Sequence, residues 1–258
     1  MKKLMTALAI CALAGMASAG DVVSENVVGY NTLTFKQGFN LIGIQFEAVA
    51  VGGALDIQKI FSGVTLNGID DEANYGDFMQ VWDNASGSFV AIYYWGDNET
   101  LELDPAWYDV DFNLATHAFK PGDAFWVYTS VGGSAAGAIA AGQVVKTNTV
   151  INVKTGFNLL SNPYPIDFVI NGTPGVTVNG LVGVDDEANY GDFMQVWDNA
   201  TGSFVAIYYW GDNETLELDP AWYDVDFNLV TGVSIAPNTA FWVYHGGTGA
   251  SLTFGTPL

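Results

Sequence analysis

Two short acidic segments contain the residues of this chain that are best suited to bind a metal ion. They run from Asp70 to Asp77 and from Asp185 to Asp192. Calcium takes six to eight oxygen ligands from carboxylates, amides and carbonyl groups, and such a segment can supply most of them. The candidate metal ligands are Asp70, Asp71, Glu72, Asn74, Asp77, Asp185, Asp186, Glu187, Asn189 and Asp192. Calcium is the one cofactor that these residues suggest; the alternative is that they are solvated loop carboxylates.

Aromatic pairs on either side of a further acidic loop could bind a sugar. Tyr94-Trp95 precedes this loop and Trp107-Tyr108 follows it. Aromatic rings pack on the apolar faces of sugars, and nearby carboxylates accept hydrogen bonds from hydroxyl groups. The candidate ligand-binding residues are Tyr94, Trp95, Trp107, Tyr108, Tyr209, Trp210, Trp222 and Tyr223. One hypothesis makes Trp95 or Trp107 an exposed platform; the other places these rings in the core.

Both groups occur twice because a long segment of the chain is repeated. The 45 residues from Asp70 to Leu114 return from Asp185 to Leu229, and Ser86 to Thr201 is the only change. Each copy contains 11 acidic and 10 aromatic residues and no lysine, arginine or histidine. Cores accept many volume-conserving substitutions, so packing does not require such identity. A recent duplication explains it, and any function of the segment is expected twice.

Catalytic residues are not recognisable in the sequence. Glycoside hydrolysis needs two carboxylates at a defined separation, but the acids are too numerous for their presence to identify a pair. His117 and His245 fall at non-equivalent positions of the two halves, which argues against a histidine site in the repeated unit. No nucleophile elbow, phosphate loop or zinc-ligand spacing occurs. The sequence predicts a non-enzymatic structural, surface or adhesive protein; the alternatives are a carbohydrate-binding module and a glycoside hydrolase.

The start of the chain predicts export. Lys2 and Lys3 precede an apolar run, and Ala17-Ser18-Ala19 forms a small-residue cleavage site, as in a secretory signal peptide. We expect residues 1–19 to be removed, which places the mature chain outside the cell, on its surface or in the periplasm. Cleavage removes Cys11, the only cysteine, so the mature chain forms no disulfide. No later segment is long and apolar enough to predict a transmembrane helix.

The charge of the mature chain limits its partners. The sequence has 28 acidic residues against 7 lysines, and loss of the leader lysines takes the net charge from −21 to about −23. Such a surface repels nucleic acid and anionic lipid. The partners that remain are a second copy of the chain, a cell surface or a glycan. The charge also fits simple solubility in salty water, where counter-ions screen it.

The hydrophobic pattern predicts an all-β fold. Strands are expected at Val27 to Phe35 and Phe39 to Phe46, and a hairpin is expected with a turn from Asp83 to Gly87. Alternating residues from Trp107 to Leu114 predict a half-buried strand. Leu55 to Phe61 predicts about two helical turns, with no counterpart in the second half.

The repeat sets the predicted domain organisation. A repeat of about 115 residues has the size of a domain rather than of a solenoid unit. We therefore predict two tandem β-sandwich or barrel-like modules from an internal duplication, with at most a short helix in the first. The boundaries are residues 20–142 and 143–258.

Short motifs recur at the ends of the two halves. Gly-Phe-Asn-Leu opens them at 38–41 and 156–159, Ser-Asn-Pro-Tyr-Pro follows at 161–165, and Pro-x-x-Ala-Phe-Trp-Val-Tyr closes them at 121–128 and 237–244. These motifs resemble a class of secreted bacterial β-module proteins, mostly without assigned activity. The first half departs from the pattern, with Gly43-Ile44-Gln45-Phe46 in place of Asn-Pro-Tyr-Pro. The resemblance covers nearly all of both halves; it implies exported β-sandwich-like domains and transfers no functional residues.

Overall fold

The computed structural model describes residues 27–33, 35–48, 55–61, 65–68, 76–96, 101–130, 138–183, 191–198, 201–211 and 218–256. Within these ranges the protein is almost entirely β-strand with one short helix, which confirms the predicted all-β class. None of the helical structure in these ranges is long and apolar enough to cross a membrane. The signal-peptide prediction lies outside the described residues.

Ten strands and the helix are described in the first half. The elements in chain order are β1 (Val28–Leu33), β2 (Gly38–Gly43), β3 (Phe46–Glu47), β4 (Leu55–Asp56), α1 (Ile57–Ile60), β5 (Phe78–Asp83), β6 (Ser88–Trp95), β7 (Ala106–Tyr108), β8 (Ala118–Phe119), β9 (Ala124–Thr129) and β10 (Ala138–Val144). They form a five-stranded sheet in the order β2-β9-β5-β6-β7, a three-stranded sheet in the order β1-β10-β3, and the pair β4-β8.

The second half has three sheets of the same sizes, but the third strand of its three-stranded sheet follows the first strand of the two-stranded pair instead of preceding it. Its strands are β11 (Thr149–Val153), β12 (Gly156–Ser161), β13 (Phe168–Val169), β14 (Val176–Asn179), β15 (Phe193–Asp198), β16 (Ser203–Trp210), β17 (Ala221–Tyr223), β18 (Ser234–Ile235), β19 (Ala240–His245) and β20 (Ala250–Phe254). The sheet orders are β12-β19-β15-β16-β17, β11-β20-β14 and β13-β18. Every described neighbour pair in these sheets is antiparallel.

The Gly-Phe-Asn-Leu motif owes its residue types to a tight turn before β2 and β12. Gly38 has a φ of 93°, which a residue with a Cβ adopts at a cost. Asn40 closes the turn, since its Oδ1 accepts from Lys36 N at 2.8 Å and its Nδ2 donates to Lys36 O at 2.8 Å. Asn158 makes the same bonds in the second half. The motif is therefore structural.

The predicted hairpin of the repeated segment is confirmed. β5 and β6 pair from Phe78↔Tyr93 to Asp83↔Ser88, and Gly87 has a φ of 64° where the chain returns. The Asp83 carboxylate accepts the N–H of Ala85 at 2.9 Å. This bond, the Ser86 hydroxyl and the nearby charge of Lys154 lower the pKa of Asp83.

The strand predicted from Trp107 to Leu114 is wrong beyond Tyr108. β7 ends there, and the next residues form a loop closed by a bond from Asp109 N to Asn113 O at 2.9 Å. Asp109 Oδ1 also accepts the N–H groups of Asp111 and Asn113, each at 2.9 Å. A short acidic side chain that bonds to nearby backbone competes with strand pairing, which the alternating pattern does not reveal.

The short helix predicted in the first half is confirmed, although it is shorter than expected. α1 covers Ile57–Ile60, and the Asp56 side chain caps it by accepting from Gln58 N at 3.0 Å. Ile57 and Ile60 are buried against the core. In the second half the chain has a turn after β13 at the corresponding place.

Each half has one hydrophobic core on the inner face of its five-stranded sheet. In the second half this core joins Met194 and Val243 of that sheet to Leu252 and Phe254 of the three-stranded sheet. The first half has an equivalent core around Met79 and Val127. The four larger sheets are small and propeller-like in arrangement rather than two sandwiches, which corrects the finer prediction.

The two halves meet through the outer faces of their five-stranded sheets. Leu41 and Leu159 are buried together there. Trp82 packs edge-on against Trp242 with ring centroids 5.0 Å apart, and the equivalent pair Trp126–Trp197 lies at 5.3 Å. Because equivalent residues make reciprocal contacts, the interface has an approximate two-fold axis.

Equivalent backbone hydrogen bonds also join the two halves on either side of this axis. Gly43 N donates to Asn238 O at 3.0 Å, and the equivalent Ser161 N donates to Gly122 O at 2.8 Å. A Cβ on Gly43 would lie 2.4 Å from the Cβ of Ser161, so the two equivalent positions face each other directly. A glycine on one side is what makes room for the fully buried serine on the other.

The strands also locate the change from one half to the next. β10 runs past residue 142, the predicted end of the first module. Its last residues, Gln143 and Val144, pair with Glu47 and Phe46 of the first half. The next strand begins at Thr149. The segment between the halves is therefore residues 145–148.

Candidate functional site

Most of the candidate metal ligands lie outside the described residues. These are Asp70, Asp71, Glu72, Asn74, Asp185, Asp186, Glu187 and Asn189. Within the described ranges, no three His, Cys, Asp or Glu side chains are grouped so that they could hold a metal ion. Calcium binding by the acidic segments stays a prediction.

Asp77, the described member of the first segment, is buried and hydrogen-bonded to protein groups. Its Oδ2 accepts from Asn67 N at 2.9 Å, and its Oδ1 accepts from the N–H and the hydroxyl of Ser130, each at 2.8 Å. The carboxylate therefore ties the start of β5 to the end of β9.

Asp192 is equivalent to Asp77 but has a different partner. Its Oδ2 lies 2.6 Å from His245 Nδ1 and accepts from Val182 N at 2.8 Å, while Oδ1 accepts from Gly246 N at 2.8 Å. Both side chains are fully buried. The second ring nitrogen of His245 has no hydrogen-bond partner among the described residues.

The tryptophans of the predicted sugar site are buried, with exposed fractions of 2–7%: Trp95, Trp107, Trp210 and Trp222. Trp107 packs on Phe61 at 5.3 Å, and Phe112 packs edge-on against Trp95 at 5.4 Å. The hypothesis of an exposed platform at Trp95 or Trp107 is wrong, because both rings are covered by neighbouring side chains.

The tyrosines of that predicted site are at least partly buried. Tyr108 and Tyr223 are buried, and their hydroxyls donate to Asp104 O and Asp219 O at 3.0 Å. Tyr94 and its copy Tyr209 are half-buried, and burial raises the pKa of both hydroxyls. The Tyr108 and Tyr223 hydroxyls tie β7 and β17 to the residues just before these strands. Sugar binding by the four tyrosines stays a prediction.

A row of aromatic rings crosses the outer face of each five-stranded sheet. In the first half the pairing places one ring from each strand in register: Phe39, Tyr128, Phe78, Tyr93 and Tyr108. In the second half the row is Phe157, Tyr244, Phe193, Tyr208 and Tyr223. We call these the aromatic rows.

The aromatic rows are partly open to solvent. Phe39 and Phe157 are 52% and 45% exposed, and the three middle rings of each row are half-buried. Phe78 and Tyr128 are stacked at 4.9 Å with an interplanar angle of 19°. Since these two rings cover one another's faces, the middle of the row presents ring edges rather than flat platforms.

The sequence contained a signal for the rows that the sugar-site hypothesis did not use. Phe78, Gln80 and Trp82 alternate with core residues along β5, so they share one face. A hairpin that is apolar on both faces is typical of a strand pair with both faces covered. In the structure one face packs in the core, and the other is divided between the contact with the second half and the aromatic row.

A cleft of about 720 Å³ lies between the halves, beside the two-fold axis. Its walls include the ends of β5 and β8 from the first half, and the linking segment with β11 from the second. No residue of the aromatic rows lines it.

Three titratable groups in this cleft have shifted pKa values, and one of them is Asp83, whose pKa is lowered. Burial raises the pKa of Asp123, although the Lys120 N–H that it accepts at 2.9 Å acts in the opposite direction. Loss of solvent lowers the pKa of His117, whose ring packs on Phe119 at 4.5 Å. The second half has Val233 and Thr239 at these positions, so this chemistry belongs to the first half alone.

No protein-family model, curated protein or solved structure matches this chain. The resemblance to secreted bacterial β-module proteins therefore stays a prediction.

Proposed function

We propose that this chain is an exported, non-enzymatic structural or surface protein that assembles with further copies of itself through its aromatic rows. It consists of two tandem β-modules that arose by duplication. The observation that carries this proposal is a partly exposed apolar row on the same sheet face that packs against its own copy within the chain.

The contact between the halves explains why a second copy is the partner. The outer face of one five-stranded sheet accepts the outer face of the other through Leu41, Leu159 and four tryptophans. The aromatic rows continue these faces with rings of the same kind. Each molecule has two such rows, so it can bind on two sides, which an extended assembly requires.

In this proposal, repulsion between the acidic surfaces of two molecules opposes their association. A net charge near −23 makes two molecules repel each other, and dissolved salt screens that repulsion over about 8–10 Å. Association is therefore expected to strengthen as salt rises.

A pair of serine substitutions tests the aromatic rows. Phe39→Ser with Phe157→Ser should reduce self-association, measured by sedimentation velocity of the mature chain at high protein concentration and high salt. The matched control is Val110→Ser with Val225→Ser, which changes two residues that are 63% and 62% exposed outside the rows. Equal loss in both pairs would show that general surface apolarity, not the rows, drives association.

Calcium binding is a separate part of the proposal and has its own test. A site filled to 100 times its Kd would stabilise the folded chain by about 2.7 kcal/mol. Thermal unfolding should shift with calcium and return with excess chelator. An equal shift with sodium at matched ionic strength would make the acidic segments a solvated surface.

Carbohydrate binding is the alternative function. The stacked middle rings of the rows offer few open faces to a sugar, which favours assembly over glycan recognition at this place. A glycan array with the Phe39→Ser and Phe157→Ser chain as control distinguishes the two: binding that the double substitution abolishes would support the alternative.

A further inference from the structure

Three asparagines of this chain are followed directly by glycine: Asn67, Asn171 and Asn179. Asparagine is one of the thermally labile residues, because the next backbone nitrogen can attack its side-chain amide. A following glycine favours this attack, since it has no Cβ in the way and its backbone turns freely. Hydrogen bonds to the amide or to the attacking nitrogen oppose the reaction, so the structure decides which of the three pairs reacts.

Hydrogen bonds hold the side chain and the backbone of Asn67. Its Nδ2 donates to Ser130 Oγ at 2.9 Å. Its backbone N–H donates to Asp77 Oδ2 at 2.9 Å, and its carbonyl accepts from Asp77 N at 2.8 Å. Attack on this amide requires that several of these bonds break first, which protects Asn67 in the folded chain.

Asn171 is protected in the same way. Its Nδ2 donates to Trp222 O at 2.7 Å, and its Oδ1 accepts from Trp222 N at 3.2 Å. The attacking nitrogen is also occupied, because Gly172 N donates to Val169 O at 3.1 Å. Both reacting groups of this pair are therefore held in the folded chain.

Asn179 is the pair in which both reacting groups are accessible. It is the last residue of β14, where it pairs with Ser251 of β20, and its side chain makes no hydrogen bond to the described part of the chain. Gly180 has a φ of 77°, and within the same ranges its backbone nitrogen makes no hydrogen bond. Both residues are exposed, so water also reaches the site.

The segment that follows Asn179 makes a contact on which the second half depends. Val182 N donates to Asp192 Oδ2 at 2.8 Å, and Asp192 N donates to Val182 O at 2.8 Å. The same carboxylate holds the buried His245. A change in backbone length at residue 179 lies three residues before this contact. The first half has Val64-Thr65 at the equivalent positions, so the reactive pair belongs to the second half alone.

We propose that Asn179-Gly180 is a site of spontaneous modification, which converts Asn179 to aspartate and isoaspartate and loosens the contact between Val182 and Asp192. The Gly180 nitrogen bonds to Asn179 Cγ, the Cγ–Nδ2 bond breaks, and Nδ2 leaves as ammonia with the proton from the Gly180 N–H. Water then opens the cyclic imide. Opening at Cγ gives aspartate, and opening at the main-chain carbonyl gives isoaspartate. The second product carries Cβ within the backbone and therefore lengthens the chain.

Peptide mapping by mass spectrometry of the mature chain, aged at mildly alkaline pH, measures the reaction. Asn179 should convert at least about tenfold faster than Asn67 and Asn171, because their hydrogen bonds must break before attack. The matched control is the same chain aged in guanidinium chloride, where all three pairs are unfolded and should convert at similar rates. Absence of conversion at Asn179 in the folded chain, or equal folded-state rates at the three sites, would overturn the proposal.

Two variants separate the added charge from the lengthened backbone. The isoaspartate form should unfold at a lower temperature than the fresh chain, and the Asp192 N–H should exchange faster with solvent. Asn179→Asp adds the charge alone and should unfold close to the fresh chain. Asn179→Gln, aged in parallel, should keep its unfolding temperature, which controls for other damage. Equal unfolding temperature and equal Asp192 exchange in the isoaspartate form and the Asn179→Asp variant would overturn the link to this contact.

Discussion

In the first half, Gln58 reaches the backbone of β7 from a helix, and in the second half Asn171 reaches the equivalent backbone from a turn. Gln58 Nε2 donates to Trp107 O at 2.8 Å, and Trp107 N donates to its Oε1 at 3.0 Å. Asn171 makes the same two bonds to Trp222, at 2.7 and 3.2 Å. The fold requires an amide at this place and accepts either local structure that supplies it.

The halves also differ at the two-fold axis, where they pack against each other. Gly43 and Ser161 are equivalent residues that meet at the axis, and the contact has room for one side chain only. The buried carboxylate is kept in both halves, but its partner is Ser130 in one and His245 in the other. Residues outside the repeated segment therefore make different contacts with it in the two halves.

The largest effect is expected from removing the buried carboxylate of the second half. Asp192→Ala should lower the free energy of unfolding by about 3–5 kcal/mol, because it leaves a buried histidine without its partner. Asp77→Ala should cost less, about 1–3 kcal/mol, since only a hydroxyl and two N–H groups lose an acceptor there. Urea denaturation measures both; equal losses would mean that the divergence of the partner has no energetic consequence.

The next largest loss of stability is expected when both equivalent positions at the two-fold axis carry a serine. Gly43→Ser places a Cβ 2.4 Å from the Ser161 Cβ and should destabilise the chain by about 1–3 kcal/mol through overpacking. The exchanged chain with Gly43→Ser and Ser161→Gly should recover part of that loss. If the exchanged chain is no more stable in urea than Gly43→Ser, steric conflict at the axis is not the cause.

The two amide contacts provide a smaller and more closely matched comparison. Gln58→Ala and Asn171→Ala should each cost about 1–3 kcal/mol in urea, because each leaves the same backbone groups unpaired. Asn171→Ala should cost somewhat more, because the φ of 57° at that residue suits asparagine better than alanine. A negligible cost for either one would contradict the equivalence of the two contacts.

The smallest effect is a pH dependence. Backbone N–H groups lower the pKa of Asp109 and of its copy Asp224, whereas burial raises that of Asp123. NMR titration should therefore place Asp123 above the ordinary value of 3.8 and the other two below it.

The sign of the stability effect follows from these directions. The contribution of Asp109 and Asp224 is present above pH 3.8 and is lost as pH falls through their lowered pKa. Asp123 acts in the opposite sense, and its unfavourable burial appears as pH rises above 3.8. A higher titration midpoint for Asp109 than for Asp123 would contradict both assignments.

The sequence predicted the strands that are set by local chemistry. The hairpin turn at Gly87 follows from turn preferences, and the short helix was predicted from Leu55 to Phe61, although its cap at Asp56 was not. The loop after Tyr108 was missed because the carboxylate of Asp109 bonds to backbone N–H groups, and hydrophobic alternation does not report such bonds.

The site was harder to predict because it depends on register and on contacts between distant residues. Trp95 and Trp107 have the composition of a sugar platform, yet packing against Phe112 and Phe61 covers them. The aromatic rows exist only when five strands are aligned, and the cleft exists only when the halves are packed together. Neither arrangement can be read from spacing along one strand.

Sedimentation velocity of the mature chain over a range of protein and salt concentrations tests the central claim most directly. Assembly through the aromatic rows predicts a sedimentation coefficient that rises with protein concentration, and rises further as added sodium chloride screens the acidic surface. A chain that remains strictly monomeric at high protein concentration and high salt, with and without calcium, would contradict the account.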